Sequence, residues 1–496
     1  MPKQQQALEE FEAVIGLEIH AQISTKTKMF CGCDNDSFRK KANTNICPIC
    51  MGFPGMLPVP NKEAVEKGVK SALALNCTIP AFSKFDRKNY FYPDLTNGFQ
   101  ISQFDEPISE GGYVDIILNE SEEDGGDSNK PTKKRIGVTR LHLENDAGKL
   151  THTANGTLLD FNRAGTPLME IVSEPEMHSS AEAKEYAETV QKILRYCSSS
   201  DCDMEKGMMR FDASVSIRPA GEDKLYPRGE IKNLNSFRAL QAAIDYEIAR
   251  QIELRKQGNP ISNDQTLGWD DAKQETRVLR EKESSADYRY FPEPDIPPVK
   301  ITPEQITEWQ KEVAELPMEK YERFLSEFKL PEQEARFYTE SIVLANFFEE
   351  VAKATGNAKA ASSFLGTILL KRLADEGLTL QDSRITAAHI IELIKLIDAG
   401  TISNNAAKTD IFDEMMKSGQ MPAKIVEEKG LAQVSDTSAI EGMCQKAIDA
   451  NPSIVADIRG GKDKAMGALV GFVMKESRGQ ANPKMVSDTL KKLLAG

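Results

Sequence analysis

From Glu12 to Ser24 apolar and polar side chains alternate, and a period of two describes a strand with one covered face and one open face. Ile15, Leu17, Ile19, Ala21 and Ile23 share one side, whereas Glu18, His20 and Gln22 share the other. The pattern returns in Arg135–Gly148, where Leu141 and Leu143 oppose Arg140, His142, Glu144 and Asp146. It returns again in Arg210–Arg218, with Phe211, Ala213, Val215 and Ile217 inward and Arg210, Asp212, Ser214 and Arg218 outward. A further acid, Glu170, lies in the run Gly165–Pro175. One such open face is ordinarily just solvated. Acids and an imidazole recurring on separate segments describe instead a set of hard and borderline ligands suited to Mg²⁺ or Mn²⁺ holding phosphates.

Strand-like segments dominate to about residue 300, broken by two helices. The first opens on the capping-box pattern Ser179-Ser-Ala-Glu182 and runs through Ala183–Tyr196; the second spans roughly Ser236–Lys256. Glu120–Lys134, with five acids, Gly125-Gly126 and then lysines, reads as an exposed hairpin insertion. Pro292, Pro294, Pro297 and Pro298 form a stiff linker, and from Pro303 the pattern turns helical. A second break at Gly400–Asn405 precedes a terminal helical unit, in which Gly467 and Gly471 suggest close helix packing. The expected fold class is α+β: a mostly antiparallel sheet domain over 1–298, an all-α domain over 299–405 and a small helical tail over 406–496. A chain of 496 residues exceeds what one core organises, which agrees with several domains.

The cysteines fall into two classes. Cys31-x-Cys33 and Cys47-x-x-Cys50, thirteen residues apart, can bring four thiolates around Zn²⁺ in a loop-rich knuckle at 31–50. Cys77, Cys197, Cys202 and Cys444 are scattered and read as small buried residues. The N-terminal segment lacks a signal core, and no run of about 18 apolar residues occurs, so a cytoplasmic protein without a membrane span is expected.

A net charge of −14 argues against nucleic-acid binding over the whole surface, but Arg459–Lys492 holds eight basic residues against three acids, a local face able to hold an RNA backbone. No Gly-x-x-x-x-Gly-Lys-Ser/Thr, Gly-x-Gly-x-x-Gly or Gly-x-Ser-x-Gly run occurs, which removes ordinary NTPase, dinucleotide and serine-hydrolase readings. Carboxylates with Arg87, Lys88, Arg140 and Arg210 instead match the parts needed for phosphoryl transfer. His142, His152, His178 and His389 are read as surface or structurally bonded side chains. The aromatics Tyr90-Phe-Tyr92, Tyr288 and Tyr290 belong either to the sheet core or to a platform for unpaired bases or for adenine. Two other readings use the same residues: a noncatalytic zinc-stabilised RNA-binding protein, and a metal-dependent hydrolase.

The runs GLEIH (16–20), NTNICPICMGFPGMLPVPN (43–61), SKFDRKNYFYPDL (83–95), QISQFDEPI (100–108), TRLHLENDAGK (139–149), NRAGTPLMEIVSEP (162–175), EIKNLNSF (230–237) and DYRYFPEPDIPP (287–298) resemble the GatB family, the tRNA-activating component of aspartyl/glutamyl-tRNA amidotransferases. The resemblance runs from about residue 12 to the C-terminus. It implies a ligase that uses ATP to phosphorylate the side-chain carboxylate of Glu or Asp mischarged on tRNA, followed by amidation with ammonia. The ammonia would come from an amidase partner, with a small third subunit completing a heterotrimer. By motif position, His20, Glu144 and Glu170 would bind Mg²⁺, and Glu18 would contribute to a second cation or its waters. Arg87, Lys88, Tyr90, Arg140, Arg210, Lys232, Asn233 and Arg289 are the candidates for gripping phosphates or the acceptor end. The helical tail would carry recognition of the tRNA body.

Overall fold

The computed structural model describes residues 10–118, 131–282, 288–433, 437–459, 465–477 and 481–495. Most of the acidic insertion read at Glu120–Lys134 lies outside these, as do Asp287, Lys462, Lys464, Arg478 and the side chain of Arg459. The chain forms two compact units, Met1–Met318 and Glu319–Gly496.

The strands of the first unit are β1 (Phe11–Gln22), β2 (Phe82–Ser83), β3 (Asp86–Asn89), β4 (Phe99–Ser102), β5 (Ser109–Leu118), β6 (Thr132–Asn145), β7 (Lys149–Thr153) and β8 (Gly156–Asp160). They continue with β9 (Pro167–Ser173), β10 (Met209–Pro219), β11 (Gly229–Leu234), β12 (Asp264–Asp270), β13 (Glu275–Lys282), β14 (Phe291–Pro292) and β15 (Val299–Lys300). Eight of them form one sheet in the order β13-β12-β11-β10-β1-β9-β6-β5. Its neighbours are antiparallel except for the pair β11·β12.

The alternation read from sequence sets the two faces. Ile15, Leu17, Ile19, Ala21 and Ile23 are all at most 1% exposed, and with Leu141, Leu143, Met169, Ile171, Phe211 and Val215 they form one core with the helices. Burying each such Leu or Ile contributes about 1.5–3 kcal/mol, so slipping the register by one residue would place a row of carboxylates in that core. The fold-class expectation of a mainly antiparallel sheet domain followed by helices is met.

Before residue 300 three helices, not two, supply residues to this core: α1 (Lys62–Ala74), α2 (Ser180–Tyr196) and α3 (Phe237–Lys256). Ser179 and Ser236 cap α2 and α3 by accepting from Glu182 N and Ala239 N. Glu182 completes its cap one residue further out, accepting from the amide of His178. The helix α1, capped by Asn61, is not legible in the sequence because Gly68 interrupts its apolar stripe. That glycine has a packing cause: a Cβ there would lie 2.7 Å from Leu143 Cδ2 on β6. We predict that Gly68→Val destabilises the first unit by about 1–3 kcal/mol through overpacking, seen as a lowered Tm; an unchanged Tm would show that Leu143 can yield.

Beyond the proline-rich linker, the helix α4 (Pro303–Glu312) still belongs to the first unit: Ile306, Trp309, Val313 and Leu316 pack against its core. The second unit is helical, with Tyr338 stacked on Phe348 at 4.5 Å. Its last helices gather a core of their own around Ile440, Cys444, Leu469, Val473, Val486 and Leu490. Among the described residues Gly467 and Gly471 do not mediate close packing as expected, since a Cβ at either would meet none of them within 4 Å. They lie on the exposed side of their helix, opposite Leu469 and Val473. Lys475, Lys484, Lys491 and Lys492 are exposed on the two terminal helices.

Candidate active site

The open face of the large sheet is where the separate acidic segments meet, and cross-strand register brings them there. His142 of β6 stands opposite Glu170 of β9, Glu170 opposite His20 of β1, and His20 opposite Arg210 of β10. Directly opposed residues on one sheet face have Cβ atoms about 5 Å apart, so four chemically active side chains form one transverse row. Glu144 is two residues beyond His142 on the same face, and its carboxylate turns in to join them.

His20 Nε2 is 3.1 Å from Glu170 Oε2 and 3.9 Å from Glu144 Oε1. His142 Nε2 is 3.6 Å from Glu170 Oε2 and 3.8 Å from Glu144 Oε2, and Ser102 Oγ donates to Glu144 at 3.2 Å. Ligand atoms of His20, Glu144 and Glu170 all lie within 4.8 Å of one another. Burial alone would raise Glu170, but the charges of His142 and His20 hold it well below the usual carboxylate range. Burial likewise opposes ionisation of Glu144, whose pKa the neighbouring His142 imidazole, with Lys88 and His20, nevertheless keeps lowered. Two buried carboxylates held ionised beside imidazoles, with Nδ1 of both His20 and His142 lacking a hydrogen-bond partner among the described residues, are a donor set that fits a hard divalent cation. His142, read from sequence as structurally bonded, therefore belongs to the cluster. The other histidines keep structural contacts: His152 with Thr157, His178 with the Ala13 carbonyl and His389 with Thr386.

Cations border this row. Burial works against the Lys88 ammonium, but Glu144 and Glu170 hold its pKa above the usual lysine range. Arg210 reaches Asp146 at 3.3 Å and is held charged by it against burial. Arg140 has a buried Nε without a hydrogen-bond partner among the described residues. Beside them Tyr90 and Tyr288 meet edge to face at 5.9 Å, and Tyr290 stacks on Phe104 at 4.2 Å.

A second acidic group lies one row along. Glu18, Asp212 and Glu230 offer oxygens within 4.8 Å of one another. Lys232 reaches Asp212 at 2.7 Å and Glu18 at 3.9 Å, and contacts Glu230. Burial, then the Glu170 charge, raises the Glu18 pKa. Asp212 and Glu230 are not among the candidates read from sequence, although the alternation of Arg210–Arg218 already places Asp212 on the open face.

Three sequence candidates stand apart from these rows. Arg87 donates to both oxygens of Glu293 at 2.7 and 2.8 Å and lies over the Phe99 ring, so its guanidinium is occupied by protein carboxylates. Asn233 is exposed and has φ +60 where β11 bulges against β10, its amide donating to Asp212 at 2.8 Å. Arg289 is exposed, with φ +46, and its carbonyl accepts from Asn89. Both backbones thus enter the hydrogen bonding next to the site.

Cys31, Cys33, Cys47 and Cys50 converge with sulfurs within 4.8 Å. The Cys47 amide donates to Cys50 Sγ at 3.2 Å, the usual arrangement of a metal knuckle. The Cys50 thiol is pulled down to about 5, chiefly by the Cys31 thiol and further by Lys28. Lys28 is fully buried, and its ammonium faces the Asn45 carbonyl at 2.9 Å and Cys50 Sγ at 3.8 Å.

With this geometry in view the wider comparison is direct. Residues 13–307 match the family model described as the GatB/GatE catalytic domain, and residues 346–494 match the GatB domain. The chain therefore belongs to the GatB family, and the residues that match its catalytic domain include the large sheet described above. Its relatives include the B component of the aspartyl/glutamyl-tRNA(Asn/Gln) amidotransferase of Clostridium tetani, 47% identical over 96% of this chain and 98% of the relative. The proteins of the same description from Thermotoga maritima and Carboxydothermus hydrogenoformans are 46% and 45% identical, each over 98% of this chain and 99% and 100% of their own lengths.

Proposed function

We propose that this chain is the activating component of a tRNA-dependent amidotransferase: it phosphorylates the side-chain carboxylate of Glu or Asp mischarged on tRNA(Gln) or tRNA(Asn), then lets ammonia displace the phosphate. The observation that carries this reading is the row His142–Glu170–His20–Arg210 with Glu144 and Lys88 beside it. A carboxylate is a poor electrophile toward ammonia. One of its oxygens attacks the γ-phosphorus, ADP leaves, and the acyl phosphate so formed carries a good leaving group. The ammonia nitrogen then attacks the acyl carbon and inorganic phosphate departs, giving Gln-tRNA or Asn-tRNA.

His20, Glu144 and Glu170 would hold Mg²⁺, which when bound neutralises charge on the transferring phosphoryl group. Glu18, with Asp212 and Glu230, would serve a second cation or its waters. Lys88, Arg140 and Arg210 bring positive charge to the same face, and their role is to orient phosphates, which is most of what phosphoryl transfer demands. Tyr90, Tyr288 and Tyr290 form the aromatic wall against which the unpaired acceptor end would stack. The exposed lysines of the tail helices suit contact with the tRNA backbone.

The amidase partner would supply ammonia, with a small third subunit completing a heterotrimer. Among the described residues no helix is long and apolar enough to cross a membrane, which is compatible with a cytoplasmic complex. Trapping tests the reading: with ATP, mischarged tRNA and hydroxylamine in place of ammonia, the complex should form the side-chain hydroxamate in an ATP-dependent manner. Hydroxamate formed equally without ATP, or none at all, would contradict it.

The four cysteines fit structural Zn²⁺, and buried Lys28 offsets part of the charge of four thiolates. Lys28→Met is predicted to speed zinc loss to a chromogenic chelator by about 10–100-fold. An unchanged release rate would remove Lys28 from that role.

A further inference from the structure

Asp146, which the sequence places on the open face, belongs to neither acidic group. It directly follows β6 and is only 2% exposed. Its carboxylate meets Arg210 Nη1 and Arg163 Nε, each at 3.3 Å, and accepts from the Ala147 amide at 2.9 Å. Burial opposes its ionisation, but the two guanidiniums hold its pKa below the usual carboxylate range. The strands β1 and β9 lie between β10 and β6, so the Arg210–Asp146 pair spans the open face beside the row. Other acids also attract Arg210: after Asp146, Glu144 and then Asp212 favour its charge. Glu144 is one of the oxygen donors grouped with His20 and Glu170, and Asp212 is one of those grouped with Glu18. A guanidinium released from Asp146 would be drawn onto these carboxylates and would compete with any cation they hold.

The backbone of Asp146 is held as firmly as its side chain. Its amide donates to the Thr166 carbonyl at 2.8 Å, and its carbonyl accepts from the Gly165 amide at 2.9 Å. Gly165 in turn accepts from the Met29 amide at 2.8 Å, and the adjoining Lys28 amide donates to the Cys33 carbonyl at 2.9 Å. Met29, Gly165 and Asp146 thus form a backbone chain from the cysteine knuckle to the acid that holds Arg210. The link is tight at Gly165, which has φ +89: a Cβ there would lie 3.4 Å from Cys50 Cβ and 3.5 Å from Lys28 Cδ. Cys31, Cys50, Gly165 and Asp146 also share the walls of a cavity of about 190 Å³, space into which Asp146 can shift when the knuckle slackens.

We propose, on the basis of the ATP-dependent reading above, that Asp146 is a positioning residue: it aims Arg210 at the phosphates and keeps it off the cation-binding carboxylates, and the cysteine knuckle sets Asp146 through Gly165. A long, mobile arginine orients a phosphate only when its geometry is fixed beforehand, and Asp146 fixes it without drawing on the carboxylates of the row. An intact knuckle is thereby a condition for phosphate binding as well as for folding.

The test uses the full chain in its amidotransferase complex. The first measurement is Mn²⁺ binding without turnover, read from the electron paramagnetic resonance of the free ion. Asp146→Asn should weaken Mn²⁺ binding by about tenfold, because Arg210 then moves onto Glu144. Asp146→Asn/Arg210→Ala should restore the affinity to that of Arg210→Ala alone, whereas a merely structural role would give the same loss with or without Arg210. The second measurement is zinc release to a chromogenic chelator, with and without a saturating non-hydrolysable ATP analogue and Mg²⁺. A bound triphosphate holds Arg210, and through it Asp146, so release from the wild type should slow by about fivefold or more. The slowing should vanish in Asp146→Asn. The wild-type comparison needs no substitution, so it decides the matter even where a variant fails to fold. Unchanged Mn²⁺ affinity in Asp146→Asn, an equal loss in the double variant, or zinc release indifferent to the bound analogue overturns the positioning role and leaves ATP dependence intact. Failure of the analogue to bind the wild type, together with absence of ATP turnover, would instead overturn the underlying reading, and the role of Asp146 with it.

Discussion

Glu170→Gln is expected to abolish tRNA-dependent ATP consumption, lowering the rate by roughly 10³-fold or more, while tRNA affinity changes little. Glu170 is the centre of the transverse row, within 3.1 Å of His20 Nε2 and 3.6 Å of His142 Nε2. An amide keeps its size but removes the charge, so a hard cation loses a ligand and two imidazoles lose their partner. The loss should appear in kcat with the fold intact, because the side chain adds nothing to the apolar core on the other face. Full ATP turnover by this variant, or loss of tRNA binding with turnover unaffected, would take the chemistry away from the row and leave a scaffold.

The second large effect is expected at the cysteine knuckle. Purified chain should carry one zinc, and Cys50→Ser should release it and destabilise the first unit by about 4 kcal/mol or more, the scale reached when a structural metal is lost. The reason is local. Residues 31–50 carry little secondary structure, and the knuckle is tied to the hairpin β7–β8 and the turn after it by polar contacts such as Asn43 with Asp160 and Asn45 with Asn162. Without metal, nothing apolar replaces four converging sulfurs and Lys28 is left buried beside fewer negative groups. Metal analysis showing no zinc, with an unchanged melting curve for Cys50→Ser, would contradict this.

The strand faces were legible because a two-residue period is a direct consequence of strand geometry, and Ile15, Leu17, Ile19, Leu141, Leu143 and Phe211 all lie in the core where alternation put them. The caps at Ser179 and Ser236 were legible for a similar reason, since a side chain that serves the helix end lies within three residues of what it bonds. What escaped was long-range. His142 looked like any polar residue of an open strand until register set it against Glu170. Asp212 and Glu230 lie on different strands far from Glu18 in sequence, and they gather only because β10 is the shared neighbour of β1 and β11.

Arg87 shows the reverse failure. Its place in a conspicuous run suggested phosphate, but Glu293, some two hundred residues away, claims the guanidinium. No local pattern announces such a partner. The helix α1 was hidden by a glycine whose purpose, the close approach of Leu143, belongs to tertiary packing. The tail glycines Gly467 and Gly471 misled in the opposite sense, a small-residue spacing that meets no close neighbour among the described residues.

The central claim is that the row on the open sheet face performs the activation step. The most direct test supplies the complex with γ-labelled ATP, Mg²⁺ and Glu-tRNA(Gln) or Asp-tRNA(Asn) in the absence of any ammonia source, and follows label into acyl phosphate and released phosphate. We predict tRNA-dependent label transfer by the wild type and its loss in His20→Ala, Glu144→Gln and Glu170→Gln. Untouched ATP while the tRNA binds, or label transfer that survives all three substitutions, would contradict the account.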